Sequence, residues 1–321
     1  MNKKLFYLLI VVVFVFALIG CSNQEPESLE DETPVEEPQE NLQEEDSSKF
    51  PINIVDGYGN EMTIEKEPEK IVTMAPSFTE TIFALGAGDR IVGVTQFCNY
   101  PEEVEEIEHI GDSEGPNLEK IIGSNTDLVI ALYLSEEEKT KLEDAGIKVL
   151  LYDPQDLDSV FDSIEIIGKV LGLESEAEEL VMNMESKKDA IVKKTEKTES
   201  KKVFYEVWHE PLMTAGPDSF INELITLANG ENIAYDTESV YPEYSLELLL
   251  ERNPEVYLTT DDGFKTIDDI VNRNGYENIK AVQENNIYLL HPDITTRTGP
   301  RIIDGFEMIA QAIHPEIFEG K

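Results

Sequence analysis

Few residues in this chain have the type and spacing to do chemistry. Five arginines occur in 321 residues, and two of them, Arg297 and Arg301, stand four apart in RTGPRI. A guanidinium fork grips carboxylate, phosphate or hydroxamate oxygens in pairs. Pro300 between them suits the first position of a helix, and free N–H groups at a helix start favour anions. Arg297 is read as a ligand contact. Arg301 is divided between a ligand and an internal bond to Asp304 or another acid. Two glutamates, Glu119 and Glu247, open the matching stretches NLEKII and SLELLL. A carboxylate in a first helical turn complements the macrodipole by about 0.3–1 kcal/mol, which by itself accounts for either one.

Aromatic residues form a third group. The strand in FYEVWHEPLMTAG should end near Val207, so Trp208 and His209 emerge at its C-terminal edge, where α/β sheets present ligands. Tyr241 and Tyr244 precede the second of the matching helices, and Phe97 and Tyr100 lie in the first half. Flat aromatic faces suit a large macrocycle or a catecholate, although ordinary packing explains any one of them. Ser77, Ser113 and Tyr133, in or near loops after first-half strands, are weaker candidates. The four histidines are dispersed, so no zinc or haem cluster is preformed. The chain has no G-x-S-x-G, H-E-x-x-H or P-loop, which argues against the common hydrolase and nucleotidase chemistries. A carboxylate pair for glycoside hydrolysis stays open in so acidic a chain, and a tethered secreted hydrolase is the competing class.

The elements that must position these residues occur twice. SFTETIFALGAGDRIV from Ser77 lines up with SFINELITLANGENIA from Ser219, and NLEKIIGSNTDLVIA from Asn117 with SLELLLERNPEVYLT from Ser245. Asn117 and Ser245 are good N-caps. Strands are expected at Ile71–Met74, Ile91–Thr95, Leu128–Leu132, Val149–Tyr152, Val203–Val207, Val256–Leu258 and Ile287–Leu290, alternating with helices. That is the α/β pattern. One long helix, capped by Ser175 and reaching Lys197, joins the halves without Gly or Pro. The expectation is two similar α/β lobes, 50–174 and 198–321, on a rigid helix at 175–197, with the ligand cleft between them.

The front of the chain sets its location. Lys3 and Lys4 precede an apolar run from Leu5 to Ile19 that stops at Cys21, which reads as an export signal over residues 1–20. Leu18-Ile19-Gly20-Cys21 resembles a bacterial lipobox, whose cysteine is lipidated; an uncleaved anchor is the alternative. Residues 22–48 hold eleven acids, no Lys or Arg and no aromatic residue, so 21–49 reads as a disordered tether. The net charge of −42 excludes nucleic acid as a natural partner. Only Cys98 follows Cys21, so the body has no internal disulfide.

DGYGNEMTIEKEPEKIVTMAPSFTETIFALGAGDRIVGVT, then CNYPEEV, GPNLEKIIGSNTDLVIA and RTGPRI together resemble the substrate-binding lipoproteins of ABC importers for ferric siderophores, haem and cobalamin. The resemblance runs from about Ile52 to the C-terminus. It implies a monomeric receptor without a cofactor or catalytic chemistry. Its ligand would be a cobalt or iron chelate, handed to a permease dimer with its ATPase. In that family the glutamate at this motif in each lobe docks to transporter arginines, and this role passes to Glu119 and Glu247. Cobalamin binders of the family often place tryptophan around the cleft, whereas this chain has only Trp208. GDSEGPNLE has no methionine to serve as an axial haem ligand. Haem therefore stands behind corrinoid and ferric siderophore, which are not separated.

Overall fold

The computed structural model describes residues 49–112, 115–263 and 265–318. The export segment, Cys21, nearly all of the tether, and Ser113 lie outside the described residues.

The first lobe begins with a hairpin of β1 (Ile52–Val55) and β2 (Glu61–Ile64). There follow β3 (Ile71–Thr73), α1 (Pro76–Ala84), β4 (Ile91–Thr95), β5 (His109–Asp112), β6 (Gly115–Pro116) and α2 (Leu118–Gly123). The lobe ends with β7 (Leu128–Ala131), α3 (Glu136–Asp144), β8 (Lys148–Leu151) and α4 (Leu157–Val170). Its sheet has the order β6-β5-β4-β3-β7-β8, parallel except for β6. Side chains alternate across a strand, so Leu128 and Ile130 meet α1 and α4 while Val129 and Ala131 meet α2 and α3. Coverage of both faces explains the unbroken apolar run LVIA.

The linking helix α5 (Glu174–Thr195) is a single 22-residue element. It starts one residue before Ser175 and ends two before Lys197, and Ser175 does not cap it. Leu173 holds the N-cap position with no side-chain cap, because the chain turns tightly out of α4 through Gly172 at φ +70°, and Leu173 packs on the core. A Cβ added at Gly168 would lie 2.3 Å from the Cβ of Ala177. This close approach sets how α4 crosses α5.

The second lobe contains β9 (Lys201–His209), β10 (Leu212–Thr214), α6 (Phe220–Leu227), β11 (Gly230–Asn232), α7 (Leu246–Arg252) and β12 (Val256–Thr260). It finishes with α8 (Ile267–Val271), α9 (Lys280–Gln283), β13 (Ile287–Leu290), α10 (Pro292–Thr295), α11 (Ile302–Ile313) and α12 (Pro315–Phe318). Strands β9, β12 and β13 run parallel; β10 and β11 flank the other edge of β9. Ser219 caps α6 by accepting from the Asn222 N–H at 3.1 Å. Its counterpart Ser77 does not cap α1, which begins at Pro76 with Ala75 as N-cap. Pro300 is not in the first turn of α11, since the Gly299 carbonyl first closes a turn onto the Ile302 N–H.

All seven anticipated strands form, five of them within one residue at each end; β9 runs two residues longer at both ends and β12 two longer at its C-terminal end. One apolar core passes without a break from Phe78 and Ile82 through Ile164 and Val181 to Ile221 and Phe306. Helices α4, α5, α6 and α11 build this joint together, and Glu223 of α6 adds a bond from the Leu157 N–H of α4 at 2.9 Å. The lobes are held by a layer of helices of which the long one is the axis.

Candidate functional site

The C-terminal edges of the two sheets face each other. Ser77, just past β3, abuts Gly299, where an added Cβ would come within 3.0 Å of the Ser77 Cα. Asn99, past β4, donates to Asp293 of α10, past β13, at 2.9 Å. Ligands of parallel α/β sheets sit at such edges, at the switch in strand order, and here that switch lies at β3 in one lobe and β9 in the other.

The floor between the lobes is an ion cluster centred on Glu80, which is 3% exposed. Arg301 grips it in a fork, Nε to Oε2 and Nη2 to Oε1, both at 2.7 Å. Arg297 Nη1 reaches Oε1 at 3.0 Å and Asn99 Oδ1 at 2.7 Å. Its Nη2 meets Asp293 at 2.8 Å and the Phe97 carbonyl at 3.2 Å. The Arg301 guanidinium lies 4.0 Å over the Tyr100 ring, and the Glu80 carboxylate raises its pKa further above the ordinary value. The internal partner of Arg301 is thus Glu80. Asp304 instead pairs with Lys187 at 2.5 Å, since α11 turns that residue toward α5.

Two guanidiniums balance two carboxylates in this floor. A buried charge needs such pairing to be tolerated. Glu80 follows Ser77 by three residues on one face of α1, a spacing that joins them on the helix surface. With Phe78, Ile82 and Leu85 as the apolar stripe, that face reads as solvated, and the second lobe covers it. Asn99 and Asp293 also escaped the sequence reading, because their meeting depends on a loop and a short helix 194 residues apart.

Residues 71–294 match the family described as periplasmic binding protein. The chain belongs to the periplasmic binding protein family. A relative in Bacillus subtilis, named an uncharacterized ABC transporter substrate-binding lipoprotein, is 39% identical over 84% of this chain and 88% of its own. The cobalamin-binding protein of Halobacterium salinarum is 30% identical over 83% of this chain and 74% of its own. Among solved structures, a possible iron-binding (periplasmic solute-binding) protein of Staphylococcus epidermidis superposes with TM-score 0.69 at 30% identity. It covers 78% of this chain and 100% of its own. A periplasmic binding protein of an ABC importer carries a small ligand and is not an enzyme.

Other residues singled out in this binding protein divide by position. Phe97 and Tyr100 stand exposed on the loop after β4, beside the floor. Tyr133, exposed after β7, is joined by Tyr58, whose hydroxyl donates to the Leu132 carbonyl at 3.0 Å. Burial, then Asp153 and Tyr133, raise the Tyr58 pKa. Asp153 also raises the pKa of Tyr241 in the second lobe, after burial, so its charge is felt by tyrosines of both lobes. Trp208, 47% exposed, donates its indole N–H to the Glu210 carbonyl at 2.8 Å and lies 5.3 Å from the His209 ring. Tyr244 does not line the cleft. It is 5% exposed, stacks 5.5 Å from Phe204, and donates to the Ile233 carbonyl at 3.2 Å. It anchors the approach to α7 because the apolar face of the sheet takes its ring. Ser77 is buried against Gly299 and likewise offers little surface.

Glu119 and Glu247 occupy equivalent first turns. Asn117 caps α2 through the Lys120 N–H at 3.0 Å, and Ser245 caps α7 through the Leu248 N–H at 3.1 Å. Both glutamates are exposed, one on each lobe, and neither pairs with another side chain among the described residues. Among the described residues no helix is long and apolar enough to cross a membrane.

Proposed function

We propose that this protein is an extracytoplasmic receptor, lipid-anchored through Cys21, that captures a metal chelate and delivers it to an ABC permease dimer with its ATPase. It acts as a monomer and keeps no resident cofactor; the cobalt or iron is cargo inside its chelate. The lipobox-like run before Cys21 and the lipoprotein relative support the anchor. Labelling with a radioactive fatty acid, lost on Cys21→Ser, tests it.

The observation that carries the ligand class is a cleft with aromatic walls over a charge-balanced floor. Arg297 and Arg301 are already met by Glu80 and Asp293, and Asp153 adds negative potential at the walls. Desolvating a multiply charged anion there would leave part of its charge unpaired. The reading is therefore a bulky chelate of low net charge, a corrinoid first and a neutral ferric siderophore second. Haem, with two carboxylates, ranks behind both. The cobalamin-binding relative supports the first.

The single tryptophan reports occupancy. The full chain in detergent is titrated with cyanocobalamin, a neutral ferric hydroxamate, an anionic ferric catecholate and haemin, following Trp208 emission with inner-filter correction. Saturable quenching by one of the first two is expected. Calorimetric binding of the catecholate or haemin alone would overturn the low-charge reading.

A further inference from the structure

A cavity of about 180 Å³ opens in the second lobe at the C-terminal edge of its sheet. Strand alternation puts Tyr205 and Val207 of β9 on its wall, while Glu206 turns to the opposite face, where it receives bonds from Tyr257 and Arg273. Phe220 of α6 and Tyr241 supply aromatic faces, and Thr295 at the end of α10 and Thr296 just past it complete the far side. Tyr241 and Thr296 are exposed, and Thr296 adjoins Arg297 of the cleft floor. The mouth of the cavity is therefore on the ligand cleft.

The Tyr205 side chain is 2% exposed, and its hydroxyl has no hydrogen-bond partner among the described residues. A buried unsatisfied donor is rare and costs free energy unless something fills its valence. Thr295 donates to the His291 carbonyl at 2.8 Å and Thr296 to that of Pro292 at 2.7 Å, so neither threonine proton is free for Tyr205, and Thr295 Oγ1 neighbours Tyr205 Oη without completing a bond to it. No lining residue carries a formal charge. Cavities of about 150 Å³ accept a benzene-sized molecule, so this one holds a single ring and not a macrocycle.

We propose that this cavity is a subsite for an uncharged, ring-sized arm of the chelate, which stacks between Phe220 and Tyr241 and accepts a hydrogen bond from Tyr205 Oη. The proposal rests on the chelate-receptor reading and adds a specificity determinant to it. The macrocycle or metal centre lies in the main cleft, and the side arm enters the lobe. A charged arm is rejected, since its desolvation would be met by one neutral donor. An arm lacking an acceptor leaves Tyr205 unpaired. Sites built around such a donor discriminate strongly against analogues without the acceptor.

The test uses the full chain, Tyr205→Phe, which removes only the hydroxyl, and Val207→Phe, which fills the cavity. Each is titrated calorimetrically with cyanocobalamin, with dicyanocobinamide, which lacks the ring-bearing arm, and with benzimidazole alone as a free ring bearing one acceptor. Thermal melts confirm folding of both variants. The wild type should bind benzimidazole weakly, Tyr205→Phe should weaken that by about tenfold, and Val207→Phe should abolish it. The preference for cobalamin over cobinamide should shrink in Val207→Phe, which closes the cavity to the ring, and stay in Tyr205→Phe, because cobalt already holds the acceptor nitrogen of cobalamin's ring. Benzimidazole binding that is absent, or unchanged in both folded variants, overturns the subsite even if cobalamin still binds. Benzimidazole binding that depends on Tyr205, with no corrinoid bound, upholds the subsite and removes the corrinoid reading instead.

Discussion

Glu80 and Arg301 are 221 residues apart in the chain and share two hydrogen bonds of 2.7 Å across the lobe junction. Removing one member of a buried pair typically costs about 3–5 kcal/mol, because the other charge is left without compensation. Glu80→Ala leaves Arg301 without its carboxylate and Arg297 with Asp293 alone. Its melting temperature should fall by about 10 °C, and Glu80→Gln, which keeps the acceptor oxygen, should fall less. An unchanged melting temperature in Glu80→Ala would show that water replaces the carboxylate at no cost.

Reversing both exposed glutamates separates delivery from capture. Glu119→Lys with Glu247→Lys should abolish chelate uptake by cells while calorimetric affinity stays within twofold. Each loses only a helix-start contribution of about 0.3–1 kcal/mol, so the melt should move little. Normal uptake by the double variant would remove the docking role.

Glu223 gives a pH signature at the joint. Burial, with repulsion from Asp156 and Asp158, raises its pKa above the ordinary 4.5, although the Leu157 N–H and Lys188 pull the other way. The native state then holds a proton more tightly than the unfolded chain, so this residue's contribution to stability falls as pH rises from 4.5 through the raised value. Glu223→Gln, which keeps an acceptor for Leu157, should raise the melting temperature at pH 7 relative to wild type. The difference should vanish below pH 4.5. A variant equally destabilised at all pH values would mean that the carboxylate's charge is favourable where it sits.

The helix layer predicts little motion. Ligand addition should leave the small-angle scattering radius of gyration of the body nearly constant, and a large closure would contradict the rigid joint. Gly168→Val drives a side chain into Ala177 and should cost about 1–3 kcal/mol in chemical denaturation, as overpacking does.

Strands and caps were legible because they are local. LVIA, VYLTT and IYLL must be strands in any fold that buries both of their faces, and Asn117 and Ser245 satisfy N–H groups only three residues away. The hairpin of β1 and β2 and the short strands β5, β6, β10 and β11 were not read, being half exposed with no clean alternation. Sequence singled out Arg297 and Arg301 but left open that their partner is Glu80. It also put Tyr244 on a wall when its ring belongs to the core.

Local pattern was enough for the two-lobed α/β frame, for a long helix between the lobes, expected at 175–197 and found at Glu174–Thr195, and for the paired glutamates at equivalent helix starts. Periodicity, capping and internal repetition act over a few residues, or between copies of one pattern. Only the tertiary structure decided which polar residues are removed from water. Glu80 looks solvated on its own helix, and Tyr205 looks like one more apolar strand residue. Burial of each is fixed by what a distant segment lays over it, and burial is what turns a carboxylate into a clasp and a phenol into an unsatisfied donor.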